Sequence, residues 1–212
     1  MAGAPPEAAI AVFAKAPVAG AVKTRLAAIL GADAAASLHA GLVRHALSTA
    51  AAARIGPVTL WCQPDTNDPF FARCAREFGV SLAMQQGADL GERMAHAFEC
   101  AAREGAPLLV IGADCPALTA EHLRTAARAL AGHDAVLVPA EDGGYVLVGL
   151  ARPLREMFEG VAWGSAAVMG QTRERLAAAG ASWKELAPLW DVDRPEDYAR
   201  LQREGLLAEV LS

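Results

Sequence analysis

The chain has 212 residues, is 54% hydrophobic and 20% charged, and carries a formal net charge of −5 with a mean hydropathy of +0.24. That is long enough for one domain with its own core and too apolar for a disordered chain. The acidic balance demotes a nucleic-acid binder, although it leaves room for a local basic patch.

Residues 8–14 form a short apolar run that reads as a buried strand. Lys15 to Gly20 follow as a loop, marked by Pro17 and Gly20. Residues 21–30 and 34–54 read as two helices broken near Gly31, with Asp33 as the cap of the second. A strand is expected over 58–62, a helix over 68–78, a short strand over 80–84 and a helix over 90–103. Residues 107–111 show almost no polar alternation, as expected for a strand covered on both faces. Thr119 caps a helix over 119–131, and 135–139 is a further strand. This alternation predicts an α/β domain with a mostly parallel sheet and right-handed crossovers. The strand over 144–150 arrives too soon after Val138 for a helical crossover, so an antiparallel or mixed segment is expected there. Helices over 152–158 and 165–179, a strand over 183–186 and a closing helix over 195–205 complete the chain. No repeat or linker divides it, and residues 1–212 read as one domain.

The four cysteines (Cys62, Cys74, Cys100, Cys115) lack zinc-ligand spacing and read as reduced, mostly buried thiols of a cytoplasmic protein. The first residues lack a basic segment followed by an apolar stretch, so no signal peptide is expected. No apolar run is long enough to span a bilayer.

Five segments carry residues that packing explains poorly. The first is the loop into Val22-Lys23-Thr24-Arg25. Cations at a helix start oppose the macrodipole, and Lys15, Lys23 and Arg25 together suit a di- or triphosphate. The loop is neither a Walker A nor a G-x-G-x-x-G motif. The second is Ile111-Gly112-Ala113-Asp114-Cys115-Pro116, where an acid at the carboxyl end of a buried strand suits Mg²⁺ or Mn²⁺ bridging phosphates. A turn cap is the alternative for Asp114, and Cys115 reads as a packed small residue.

The third is Glu141-Asp142-Gly143-Gly144-Tyr145. A hairpin turn explains it as well as a substrate loop in which Asp142 binds a polar group and the glycines admit the substrate. The fourth is Asp191-Val192-Asp193-Arg194-Pro195, whose alternate acids in extended chain point to one side and suit a metal site with Asp114. Asp193 equally fits a helix cap. The fifth runs from Gln86 to Met94; Asp89 can cap a helix and Glu92 resembles the far side of a capping box, and the functional alternative is a loop that reads a base or ribose with Arg93 near phosphate. None of His39, His45, His96, His122 and His133 forms a metal pair or a triad pattern.

The segments FAKAPVAGAVKTRLA, QGADLGERM, IGADCPALT, PAEDGGYVLVGL and LWDVDRPEDY occur in that order. Together they resemble the bacterial glycosyltransferase-A-like family labelled arsenosugar-biosynthesis-type glycosyltransferase, from about Ile10 to Leu201. The chain is also similar, more distantly, to guanylyltransferases of molybdenum-cofactor and phospholactate metabolism. Ala19 departs from the family's loop proline, and Ala113 from a common serine.

The resemblance implies a nucleotide-diphospho-sugar transferase fold, a Rossmann-like three-layer αβα sandwich with a mostly parallel mixed sheet. It implies that Lys23 and Arg25 hold nucleotide phosphates and that Asp114 binds Mg²⁺ or Mn²⁺, with Asp191 or Asp193 as the second acid. The expected activity is metal-dependent transfer from a nucleotide or nucleotide-sugar donor to a small-molecule acceptor, either glycosyl or nucleotidyl. The alternative is a non-catalytic nucleotide-binding module. The nucleotide site is expected at Ala14, Lys15, Gly20, Lys23, Arg25, Asp89, Gly91 and Arg93. The acceptor is expected at Asp142, Gly143, Gly144 and Tyr145, with Lys23, Arg25 and Asp142 in catalytic roles. No nucleic-acid or membrane partner is expected, and a homodimer stays open.

Overall fold

Residues 8–211 are described by a computed structural model. The expectation of no signal peptide concerns the first residues and lies outside the described part.

Among the described residues, seven strands form one sheet in the order β3-β2-β1-β4-β6-β5-β7. They are β1 Ala9–Lys15, β2 Val58–Gln63, β3 Ser81–Met84, β4 Leu108–Gly112, β5 Ala135–Pro139, β6 Tyr145–Leu150 and β7 Trp183–Glu185. β1, β2, β3 and β4 pair in parallel, as do β5 and β7. Only β6 runs against its neighbours, β4 and β5. The mixed segment expected after Val138 is therefore this one strand.

Helices α2 (Ala32–Ala53), α3 (Pro69–Phe78) and α5 (Ala120–Leu130) cover one face of the sheet, with Leu47, Phe71 and Leu123 among the buried side chains. α4 (Leu90–Arg103) and α6 (Val168–Ala178) cover the other, around Phe98, Phe158 and Leu176. This is a three-layer α/β/α domain, and it agrees with the nucleotide-diphospho-sugar transferase fold. A third cluster joins α1 (Thr24–Leu30), α2, α7 (Pro195–Arg203) and α8 (Leu206–Leu211) around Leu26, Leu42, Val192 and Val210. It seats the C-terminal segment beside the first helix. No helix among the described residues is long and apolar enough to cross a membrane.

Several boundaries differ from the sequence expectation. α1 begins at Thr24 rather than 21, because Lys23 sits in the left-handed region at φ 47. Gly31, not Asp33, precedes α2, and Asp33 lies in the first turn. The helix expected over 152–158 shrinks to a 3₁₀ turn at Arg155–Met157. The carbonyls that follow it, Glu159 and Gly160, accept hydrogen bonds from Arg175 of α6. The closing helix breaks at Gly205, whose φ of 75 ends α7 and redirects α8.

α8 docks on α2 through Gly41. A Cβ at this position would lie 2.3 Å from the Val210 carbonyl oxygen. Overpacking of this kind costs about 1–3 kcal/mol. Gly41→Ala is therefore expected to lower the unfolding free energy by that amount, read as a lower denaturant midpoint at unchanged slope. Gly170→Ala, in α6 with no atom within 4 Å of the new Cβ, should leave stability unchanged or raise it by up to about 1 kcal/mol.

Candidate active site

In an open α/β sheet the ligand cleft lies beyond the carboxyl ends of the parallel strands. Here β1 ends at Lys15 and β4 at Gly112, side by side. The loop from Ala16 to Lys23 leads from β1 into α1, and Lys23 and Arg25 at its end bond the segment from Trp190 to Arg194. Beyond these strand ends lies a cleft of about 550 Å³. Lys15, Lys23, Arg25 and Arg93 line it, with His39, Asp114 and Asp193.

Lys23 is the centre of this arrangement. Its side chain is only 4% exposed. Its ammonium lies 2.6 Å from Asp114 Oδ1 and donates to the Val192 carbonyl at 2.6 Å. The Val192 N–H in turn donates to the Asp114 carbonyl at 2.8 Å. One lysine therefore joins three segments that are far apart in the chain.

The Asp114 carboxylate is divided between interior and cleft. Oδ1 is buried against Lys23, while the side chain as a whole is 47% exposed. Burial pushes the carboxyl up, but the charges of Lys23 and His39 and the Lys23 hydrogen bond outweigh it and hold Asp114 below its ordinary value. His39 lies beneath, buried, with Nδ1 3.8 Å from Asp114 Oδ1 and Nε2 3.0 Å from the Lys15 carbonyl. Burial lowers its pKa more than Asp114 raises it. The Lys15 carbonyl can only accept, so Nε2 carries a proton and donates it there.

A second pocket of about 260 Å³ opens on the other side of Asp114. It shares Leu90, Gly112 and Asp114 with the first cleft and adds Asp142, Asp191, Tyr145, Val146, Trp163 and Val168. Burial, with the charges of Asp142 and Asp114, pushes the Asp191 carboxyl up to about 6. Those three acids therefore feel one another. Burial also raises the Tyr145 phenol, so it stays protonated.

Residues 23–165 match the model of a family described as uncharacterized proteins conserved in bacteria, DUF2064. The chain belongs to this family. No curated protein matches it. Among solved structures it is similar to a protein of Desulfovibrio desulfuricans G20 provisionally described as a nucleotide-diphospho-sugar transferase. That structure is 30% identical, with a TM-score of 0.82 over 97% of this chain and 98% of the other. A nucleotidyl transferase from Methanothermobacter is 16% identical, with a TM-score of 0.66 over 95% and 98%. Rv0371c of Mycobacterium tuberculosis H37Rv is 17% identical, with a TM-score of 0.57 over 93% and 98%, and it has also been solved in complex with manganese.

In this DUF2064 chain the predicted site residues separate into groups. Ala14, Lys15, Lys23, Arg25, Arg93, Asp114 and Asp193 line the first cleft. Asp142, Gly144, Tyr145 and Asp191 line the second. Other expectations change. Lys23 does not project freely toward a phosphate, because its ammonium is already bonded to Asp114 and Val192. Asp193 does not join Asp114 and Asp191, because Arg25 draws its carboxylate into an ion pair in the first cleft. Nor does it cap α7, since Asp197 reaches back to the Arg194 N–H at 2.8 Å.

Gly91 and Asp89 face a separate small cavity rather than the nucleotide cleft. Gly91 is a packing glycine, and a Cβ there would lie 2.7 Å from the Trp163 indole. Asp89 caps α4 through the Glu92 N–H. Gly20 lies outside both clefts, on an exposed turn. Gly143, at φ 95, is covered by residue 166; a Cβ there would meet the Ala166 carbonyl at 2.5 Å. Gly143 shapes the loop rather than admitting a substrate.

His39, Gln85 and Trp163 escaped the sequence reading. His39 sits on an apolar helix face like any core histidine, so its contact with Asp114 has no local signal. Gln85 donates to the Ala14 and Trp61 carbonyls across β1 and β2, which only the sheet order brings together. Among the described residues, no group of three or more His, Cys, Asp or Glu side chains is placed to hold a metal by itself.

Two outcomes follow from this geometry. Lys23→Met leaves Asp114 Oδ1 buried without its cation and is expected to lower stability on the order of 2 kcal/mol. A double-mutant cycle with Asp114→Asn should show coupling between the two residues. Separately, burial pushes the Cys62 and Cys115 thiols up to about 12 and the Cys74 thiol to about 11. Iodoacetamide at pH 8 should therefore label half-buried Cys100 well before the other three, as peptide mass mapping would read.

Proposed function

We propose that this chain is a metal-dependent transferase that binds a nucleotide donor in the first cleft and an acceptor in the second pocket. The observation that carries this reading is the position of Asp114. It is the one acid that lines both cavities, with a cationic cleft on one side and an acidic, partly apolar pocket on the other.

The residues fit a divalent cation. Asp114 keeps an exposed oxygen toward the cavities, and Asp191 lies close enough for their charges to repel. Mg²⁺ is usually held by one or two carboxylates together with substrate phosphates, so a full protein cage is not needed. The manganese complex of Rv0371c supports the same reading. A cation held by Asp114 and Asp191 would neutralise phosphate charge and polarise the phosphoryl oxygens.

The chain's own side chains supply the rest. Lys15 and Arg93 offer positive charge to the donor phosphates at the floor and wall of the cleft. Arg25 does the same from the α1 start once it leaves Asp193, an exposed pair worth little on its own. Lys23 fixes the orientation of Asp114 and so acts as a positioning residue. Asp142 is the candidate that accepts the proton of an acceptor hydroxyl.

The concentration of cations in the first cleft favours nucleotidyl transfer, in which the acceptor oxygen attacks the α-phosphorus and pyrophosphate leaves. The Desulfovibrio neighbour favours the second reading, glycosyl transfer, in which a nucleoside diphosphate leaves.

A thermal-shift panel of nucleoside triphosphates and nucleotide sugars, with and without Mg²⁺ or Mn²⁺, tests the proposal. Ligands of the native state raise the melting temperature by mass action. Metal alone should shift it little, nucleotide alone modestly, and the two together by more than their sum. Asp114→Ala should abolish that synergy. Stabilisation by a triphosphate with pyrophosphate release marks nucleotidyl transfer, and stabilisation by a nucleotide sugar marks glycosyl transfer. No nucleotide response at all would refute the proposal, and tight binding without turnover of any donor would leave a binding module.

A further inference from the structure

The two cavities that meet at Asp114 differ sharply in charge. The first is lined by Lys15, Lys23, Arg25 and Arg93 against two carboxylates. Among the residues lining the second there is no lysine, arginine or histidine. Its charged groups are Asp114, Asp142 and Asp191, and its walls include Tyr145, Val146, Trp163 and Val168.

Nearby cations are engaged elsewhere. The Lys23 ammonium is bonded to Asp114 and the Val192 carbonyl. Arg200 pairs with Glu141 and Glu204 and lies over the Trp190 ring. The Asp142 carboxylate, by contrast, is exposed, and one of its oxygens accepts only from the Gly144 N–H.

Size narrows the occupant further. A cavity of about 260 Å³ is below the range of roughly 300–1,000 Å³ that takes drug-sized ligands. It has room for about one ring. Trp163 stands edge-on to Tyr145 with ring centroids 6.3 Å apart, which gives the pocket a rigid aromatic wall. Such a wall suits the C–H face of a sugar or an aryl ring.

We infer that the second pocket takes the acceptor as a single-ring alcohol, a sugar or aryl alcohol, whose body is uncharged or carries an amine, and that it rejects bodies bearing a carboxylate or a phosphate. Hydroxyl groups donate to Asp142, the acid of this pocket that the proposed cation leaves free, and an ammonium gains from its charge. Before metal binds, an anionic body meets three carboxylates with no lysine, arginine or histidine to receive it. This inference rests on the second pocket being the acceptor site of the proposed transferase.

The test is saturation-transfer NMR on the full chain, without added divalent metal, with methyl β-D-glucoside, methyl β-D-glucuronide and D-glucosamine. The first two differ only in a hydroxymethyl group against a carboxylate. The glucoside and glucosamine are expected to bind, and the glucuronide about tenfold more weakly than the glucoside, as like charges at close range require. Val168→Trp, which fills the pocket, should erase glucoside binding; Ser165→Phe at the exposed rim serves if that variant does not fold. Asp142→Asn keeps the hydrogen bond to Gly144 but removes the charge, and should narrow the glucoside preference by about threefold.

Equal or tighter binding of the glucuronide overturns the inference. So does failure of all three probes while nucleoside triphosphates still bind the first cleft, a result that leaves the nucleotide reading standing. Glucoside binding at this pocket in a chain that binds no nucleotide supports the pocket assignment and overturns the nucleotide reading instead.

Discussion

The buried ammonium of Lys23 holds this site together. The residue adopts a left-handed backbone, at φ 47 and ψ 40, that a side chain other than glycine rarely takes. Such conformations persist where the surroundings over-determine them. Here Asp114 and the Val192 carbonyl receive the ammonium, and the Lys23 carbonyl accepts from Leu26 and Ala27 in the first turn of α1. The same contact sets the start of α1, the aim of Asp114 at the end of β4, and the seat of the segment between Trp190 and Arg194. The third apolar cluster locks that segment from behind through Val192, Leu26 and Leu42. Fold and site are therefore one construction at this point.

That construction separates charge across a short distance. Asp114 turns one oxygen inward to Lys23 and exposes the rest of its carboxylate where the two cavities meet. Cations gather on the β1 side and carboxylates on the β6 side. The whole-chain charge of −5 describes neither cavity. A phosphate-rich donor suits the first cleft, and a neutral body suits the second. A divalent cation between them would offset the repulsion among Asp114, Asp191 and Asp142.

Much of the fold was legible in the chain because buried parallel strands read as continuous apolar runs, as Leu108–Gly112 does. The early arrival of Tyr145–Leu150 was enough to place an antiparallel strand. What escaped were conformations decided by distant partners. α8 depends on Gly41 meeting Val210, and the 3₁₀ turn at Arg155–Met157 precedes carbonyls drawn to Arg175. The site followed the same rule. Charged residues at strand ends could be found from local pattern, and most of them do line a cleft. Their pairings could not. Alternation in an extended segment puts Asp191 and Asp193 on one side, yet Arg25 holds Asp193 in the first cleft while Asp191 faces the second pocket. Gly91 was expected at the nucleotide site and Gly143 to admit a substrate, but they are places where Trp163 and Ala166 pack too closely for any side chain. His39 reaches Asp114 only because α2 crosses beneath the end of β4.

Asp114 and Asp191 are proposed to seat one divalent cation together, between the donor phosphates and the second pocket. The most direct measurement is anomalous scattering from Mn²⁺ in crystals grown with a non-hydrolysable nucleoside triphosphate. A manganese peak is expected within coordinating distance of both carboxylates and of the phosphates, with Lys23 still bonded to Val192. A peak at Asp193 and Arg25, or nucleotide bound in the first cleft with no metal at Asp114, would contradict it.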